Sequence, residues 1–278
     1  MDIFARCFLL VFAQLYVGGV LTLSIPPFHG IERGFYKSTA GVYLGFGLLV
    51  LIGRVALLLH PPMQAAPTTT AEIVELVLWT LSVSGGGLYL YTLWGEPFEL
   101  RARAYVAAWG FGTLALLIGA QTFRPGPFLS IETIVYPFSF LVSALLLGAV
   151  TTGMLLGHWY LIDSGLTLEP FWRVLRFFVA MLALQAGLMV VVTGLLSVVG
   201  TPESVRGLTQ LLSEHRLLLV VRVLLSPAGA ACLAWMIWKT LKIPQTMAAT
   251  GLFYIAILAV LVGEMMSRFI LFRTTLPL

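Results

Sequence analysis

Charged side chains are scarce in this sequence. Only 10% of its 278 residues are Asp, Glu, Lys or Arg, whereas 59% are hydrophobic. A soluble globular domain carries charge on about a quarter of its residues, so this composition excludes that class. The sequence therefore predicts an integral membrane protein, and its formal net charge of +4 does not indicate a nucleic-acid partner.

Cysteine and the common catalytic motifs are also lacking. The chain has two cysteines, Cys7 and Cys232, which lie far apart and form neither a disulfide framework nor a CxxC metal site. The sequence contains no P-loop, GxGxxG, HExxH or nucleophile-elbow motif. We therefore expect no metal site, no catalytic residues and no independent enzymatic activity.

Long apolar runs fill most of the chain. Because a hydrocarbon core of about 30 Å needs about 20 apolar residues per helix, the runs predict an all-α polytopic bundle of about eight transmembrane helices. The predicted spans are Cys7–Ile25, Thr39–Leu59, Ala71–Leu93, Ala104–Thr122, Ile134–Leu161, Val174–Val199, Leu217–Thr240 and Met247–Phe272. The longest connection, 200–216, has room only for one short amphipathic surface helix.

The helix count and the loop charges predict an orientation in the cell inner (plasma) membrane. Eight spans place both termini on one side, and the loops after the first, third, fifth and seventh spans carry the excess of lysine and arginine. By the positive-inside rule, the termini lie on the non-cytoplasmic side.

The chain is predicted to be one membrane domain, 1–278, with a suggestion of two halves. The apolar stretches 8–23 and 140–155 each open a set of four spans and place small residues at similar depth. If they are repeats, the halves are 1–125 and 126–278, related by an axis along the membrane normal. The alternative is that apolar helices resemble one another by composition alone.

An ionisable residue inside a membrane helix costs about 2.5 to 3.5 kcal/mol, and we select four such residues as candidates for function. They are Arg54, Arg222, Glu264 and Arg268, all toward the same, non-cytoplasmic half. Glu264 and Arg268 are spaced for an i,i+4 ion pair. We expect Arg222 and Arg54 to complete an inward-facing cluster that contacts a quinone carbonyl, relays a proton or holds an anionic substrate. The alternative is a structural ion pair with arginines that extend to lipid head groups.

A second candidate region is "GHWY", where His158 and Tyr160 lie near the cytoplasmic end of the fifth span. Their position is that of an aromatic belt followed by a helix stop at Asp163 to Gly165. Both side chains exchange protons or hydrogen bonds, so a quinone head group or a partner is the functional interpretation. Haem is disfavoured, because no span carries two histidines at haem-ligand spacing.

The glycines of "SGGG" (84–87) and Pro227 interrupt two spans. Three consecutive glycines weaken a helix by about 1 kcal/mol each relative to alanine, so something approaches closely there. The usual reason is a tightly packed neighbouring helix; the rarer ones are a cofactor, a lipid tail or an unwound transport site.

Eight spans, little soluble mass and a buried arginine–glutamate cluster resemble the membrane anchor subunits of polysulfide reductase and dimethyl sulfoxide reductase type complexes. The stretches 16–59 and 141–161 carry the likeness. The resemblance implies a metal-free subunit that binds quinone or quinol, contacts lipids and passes electrons to an iron–sulfur or cytochrome partner subunit. The alternatives are a structural accessory subunit of a respiratory or photosynthetic complex, and a small-molecule transporter.

Overall fold

A computed structural model of the protein describes residues 3–59, 69–95, 97–163 and 165–278. Over these residues the chain forms nine helices and no strand. In chain order they are α1 (Ile3–Thr22), α2 (Arg33–Leu59), α3 (Thr70–Thr92), α4 (Phe98–Gln121), α5 (Glu132–Ile162), α6 (Glu169–Val199), α7 (Pro202–Ser213), α8 (Arg216–Lys242) and α9 (Thr246–Thr274). All except α7 are long and apolar enough to cross a membrane, which confirms the predicted polytopic helical bundle.

Each predicted span matches one of these helices, but several helices begin earlier than predicted. α2 begins at Arg33 and α4 at Phe98, about one and a half turns before the apolar runs. The prediction followed apolar residues only, whereas a helix continues into the interface for as long as its backbone bonds are satisfied. The short helix α7 confirms the predicted surface helix of the longest connection.

α1 and α5 form the centre of the bundle. A Cβ atom added to Gly148 of α5 would lie 2.1 Å from the carbonyl oxygen of Gly18 in α1. In lipid such close approach is a main source of helix association, because apolar surface gains little from leaving apolar solvent. The two helices that open the predicted halves therefore pack backbone to backbone. Whether the halves are repeats stays a prediction.

α3 runs unbroken through the "SGGG" stretch. A Cβ atom at Gly85 would lie 2.9 Å from the backbone nitrogen of Ala108 in α4, and one at Gly86 would lie 3.0 Å from the Tyr16 hydroxyl. These contacts confirm the close packing of neighbouring helices as the reason for Gly85 and Gly86. The transporter alternative relied in part on an unwound segment here, and α3 is helical throughout it.

α8 contains a π-helical segment over Leu224–Gly229, with Pro227 inside it. Proline has no backbone N–H, and one extra residue in the turn accommodates the missing bond. Ser226 packs against α9, since a Cβ atom at Gly263 would lie 2.4 Å from the Ser226 Cβ. The segment thus brings α8 close to α9, and the buried charges lie beside it.

The chain after α9 turns back over the same end of the bundle. Thr275 has a left-handed backbone, with φ of 60°. The Tyr136 hydroxyl donates to the Thr275 carbonyl, and Ser139 Oγ donates to the Pro277 carbonyl at 2.5 Å. Ser267 Oγ donates to the Leu278 carbonyl. Residues 276–278 are therefore buried, and the segment is hydrogen-bonded to both α5 and α9.

Candidate functional site

Three of the predicted residues meet inside the bundle. Arg222 Nη1 of α8 lies 2.9 Å from Glu264 Oε1 of α9, and Arg268 Nη2 lies 3.4 Å from Glu264 Oε2. All three side chains have 0% exposure. The predicted i,i+4 ion pair and its junction with Arg222 are confirmed.

Two neutral polar side chains complete this group. Arg268 Nη2 donates to Ser143 Oγ of α5 at 2.9 Å, and Gln185 Nε2 of α6 donates to the same oxygen at 3.3 Å. Gln185 Nε2 also lies 3.5 Å from Glu264 Oε1. We call Ser143, Gln185, Arg222, Glu264 and Arg268 the arginine–glutamate cluster. It joins four helices: α5, α6, α8 and α9.

The cluster has more positive charge and more donors than its own residues satisfy. Two guanidinium groups face one carboxylate, which leaves a formal charge of +1 when all three are ionised, and arginine stays protonated in proteins. Among the residues that the structure describes, no hydrogen-bond acceptor is found for Arg222 Nε, Nη1 and Nη2 or for Arg268 Nε and Nη1. Arg222 Nη1 is ion-paired with Glu264, but in a geometry unsuited to a hydrogen bond. Gln185 Oε1 has no donor. A buried unpaired donor costs about 1–3 kcal/mol, so these groups would be stabilised by an acceptor that enters the cluster.

The cluster lies closer to one end of the bundle than to its middle. Arg222 is about 9 Å along α8 from Arg216, and Arg268 is about 9 Å along α9 from Thr274. One face of Arg268 is covered by the Phe140 ring, whose centroid lies 4.7 Å from the guanidinium carbon. This cation–π contact gives the guanidinium group a favourable partner inside an apolar environment.

The expectation that Arg54 completes the cluster is wrong. Arg54 Nη2 lies 2.7 Å from Glu75 Oε1 of α3, and the Trp79 ring nitrogen donates to the same oxygen at 3.1 Å. Within the described residues α2 contacts α1, α3 and α5 but not α6, α8 or α9. The similar depth of Arg54 and Arg222 in the membrane suggested one cluster. The order of the helices around the bundle instead places them in two separate ion pairs, Arg54–Glu75 and Arg222–Glu264. A cofactor-binding role for Arg54 stays a prediction.

His158 and Tyr160 lie at the opposite end of the bundle from the cluster. His158 is exposed near the end of α5, and its Nδ1 lies 3.2 Å from the Tyr254 hydroxyl. Tyr160 is buried; its hydroxyl donates to the Thr167 carbonyl at 2.5 Å and its ring stacks on Phe171. Tyr160 thus fixes the turn after α5, and the predicted helix stop after Ile162 is confirmed. A ligand at His158 or Tyr160 stays a prediction.

Sequence reasoning missed Glu75, Gln185 and Ser143. Glu75 lies inside a predicted span, so its charge alone was a sufficient signal. Gln185 and Ser143 are neutral and carry no such signal. Their role depends on which helices meet, which sequence spacing within one helix does not show.

Neither the protein-family models nor the curated proteins contain a match to this sequence.

Proposed function

We propose that this integral membrane protein is a subunit of an electron-transfer complex and that its arginine–glutamate cluster binds the head group of a quinone or quinol. The observation that carries the proposal is the set of unpartnered guanidinium nitrogens on Arg222 and Arg268 in a fully buried site. Such donors need an acceptor that enters the membrane interior, and a quinone carries carbonyl oxygens on an otherwise apolar molecule.

The residues present fit that head group. Arg222 has the largest number of unpartnered nitrogens and Gln185 offers a free acceptor, so the cluster complements both a carbonyl and a hydroxyl. A bound quinone would supply reversible uptake of electrons and protons. Anionic substrates were a further sequence-based alternative, but a buried site near the lipid tails favours a lipid-soluble ligand.

The chain's own residues would have distinct roles at this ligand. Arg222 and Arg268 would hydrogen-bond to and orient one oxygen, and the cluster's net positive charge would stabilise negative charge that develops there. Glu264 is the carboxylate of the cluster and would hold both guanidinium groups in position beside that oxygen. The Gln185 amide, 3.5 Å from Glu264, would fix the orientation of that carboxyl group.

The wider setting follows the sequence-based expectations. We propose that the chain lies in the inner membrane with both termini on the non-cytoplasmic side, next to an iron–sulfur or cytochrome subunit. The likeness to polysulfide and dimethyl sulfoxide reductase anchors supports the kind of complex. The positively charged loops support the orientation.

The test is quinone binding by Arg222→Lys. Lysine keeps the charge of Arg222 but presents one nitrogen in place of the guanidinium fork. We expect the affinity for decyl-ubiquinone and menadione to fall at least about tenfold, since a hydrogen bond to a charged group contributes about 1.5–3 kcal/mol. Arg54→Lys is the matched control, because it alters the other arginine–glutamate pair. Equal binding by Arg222→Lys and wild type would contradict the proposal.

A structural role is the second candidate, because the cluster joins four helices. In that case the ion pairs fix the packing of α8 and α9 against α5 and α6, and quinones do not bind. The protein would then co-purify with a larger complex and bind neither quinone, while substitutions in the cluster lower its melting temperature alone.

A further inference from the structure

An apolar groove on the lipid-facing side of the bundle runs between α6 and α8, away from the arginine–glutamate cluster. Its volume is about 370 Å³. The residues that line it are all apolar and include four alanines and two tryptophans: Val179, Leu182, Ala183, Ala186, Pro227, Ala231, Ala234, Trp235 and Trp238. Trp235 and Trp238 are 59% and 36% exposed, so the groove opens to its surroundings beside two aromatic rings.

The length of the groove corresponds to one leaflet. From Pro227 to Trp238 it follows α8 for about 16 Å, roughly half of a 30 Å hydrocarbon core. It therefore begins near the middle of the bundle and ends at the side where α8 ends. A groove that is apolar along its whole length suits a lipid acyl chain.

Positive charge lies where the groove ends. The Lys242 ammonium lies 3.7 Å from the centroid of the Trp238 ring, and the Lys239 ammonium lies 5.3 Å from it. Across the described parts of the chain, neither lysine forms an ion pair with an acidic side chain. The tryptophan ring holds both ammonium groups beside the groove while leaving them without an anionic partner.

α6 adds charge on the other side of the groove. Arg176 lies one turn before Val179, and its Nη2 is 3.4 Å from Glu169 Oε1. Glu169 also pairs with Arg173, at 2.8 Å, so this helix end keeps one net positive charge. The groove thus ends between two basic helix ends.

We propose that this groove is a specific site for an anionic glycerophospholipid of the leaflet on the Lys242 side. One acyl chain occupies the groove from Trp238 toward Pro227, and the phosphate lies between Lys239, Lys242 and Arg176. Basic pockets between membrane helices bind anionic head groups in this way. The site is independent of the quinone proposal, because it lies on the lipid-facing side and needs no residue of the cluster.

The experiment is native mass spectrometry of the purified full chain, titrated with phosphatidylglycerol or phosphatidylcholine of identical acyl chains. We expect the wild type to retain phosphatidylglycerol preferentially, and the double variant Lys239→Gln/Lys242→Gln to bind it about tenfold more weakly. The matched control is Lys37→Gln/Arg103→Gln, which removes two positive charges from the same side of the bundle. Its affinity should equal that of the wild type.

A second variant tests the chains instead of the head group. Ala231 is exposed and lines the groove, so Ala231→Phe fills it. The variant should bind both lipids more weakly while it still prefers phosphatidylglycerol. Equal retention of the two lipids by the wild type would overturn the proposal. An unchanged affinity of Lys239→Gln/Lys242→Gln for phosphatidylglycerol would also overturn it. The two lysines would then be assigned to binding an acidic protein surface.

Discussion

Arg222 and Glu264 form an ion pair of 2.9 Å between two helices, and neither side chain is exposed. Arg268 binds the other carboxylate oxygen of Glu264. One carboxylate therefore balances two buried cations, and its removal affects both.

The first prediction concerns Glu264→Gln. The substitution leaves two guanidinium groups buried without a counter-ion, which costs about 3–5 kcal/mol. We expect a large fall in the melting temperature measured by light scattering in detergent. Quinone binding should also weaken, because the two arginines repel each other out of position.

The control for this prediction is Glu75→Gln at the other buried pair. Its partner Arg54 is 29% exposed and retains access to lipid head groups or water, so the loss should be smaller. An equal loss of stability in Glu75→Gln and Glu264→Gln would contradict the interpretation that the cluster holds uncompensated charge.

The second prediction concerns the contact between α1 and α5. Gly148→Ala places a methyl group 2.1 Å from the Gly18 carbonyl oxygen, so the two central helices must separate. Overpacking of this kind costs about 1–3 kcal/mol or more. Thermal denaturation should show a clear loss of stability, or the variant should fail to accumulate.

Gly87→Ala is the matched control at a helical glycine, because a Cβ atom there meets no atom of the described residues within 4 Å. This change should be neutral or should stabilise α3 by up to about 1 kcal/mol through helix propensity. A destabilisation as large as that of Gly148→Ala would show that glycine itself, and not the close contact, matters.

The third prediction is the orientation. A cysteine at Glu203 in α7 should react with a membrane-impermeant maleimide in intact cells, whereas a cysteine at Lys242 should react only after the membrane is opened. The two positions lie at opposite ends of the bundle. The reverse pattern would contradict the positive-inside assignment.

The sequence was sufficient for the fold because each span is a local property. A run of about 20 apolar residues between polar turns specifies a helix and its approximate ends without knowledge of its neighbours. The Glu264–Arg268 pair was equally local, since spacing along one helix fixes it. Both predictions are confirmed.

The remaining features of the site depend on which helices are neighbours. Arg54 and Arg222 have similar depth, yet α1 and α5 lie between their helices, and depth alone could not show this. Gln185 and Ser143 carry no charge, so no energetic cost marked them in the sequence. Only the packing of α5 and α6 against α9 brings them to Glu264.

The central claim is tested most directly by photo-crosslinking with an azido-quinone, followed by peptide mapping of the labelled chain. If the cluster binds the head group, the label should lie on α8 or α6 beside Arg222, at positions such as Ser226 or Gln185, and excess menadione should prevent it. Labelling at His158 or Tyr254, at the opposite end of the bundle, or labelling that menadione does not compete away, would contradict the account.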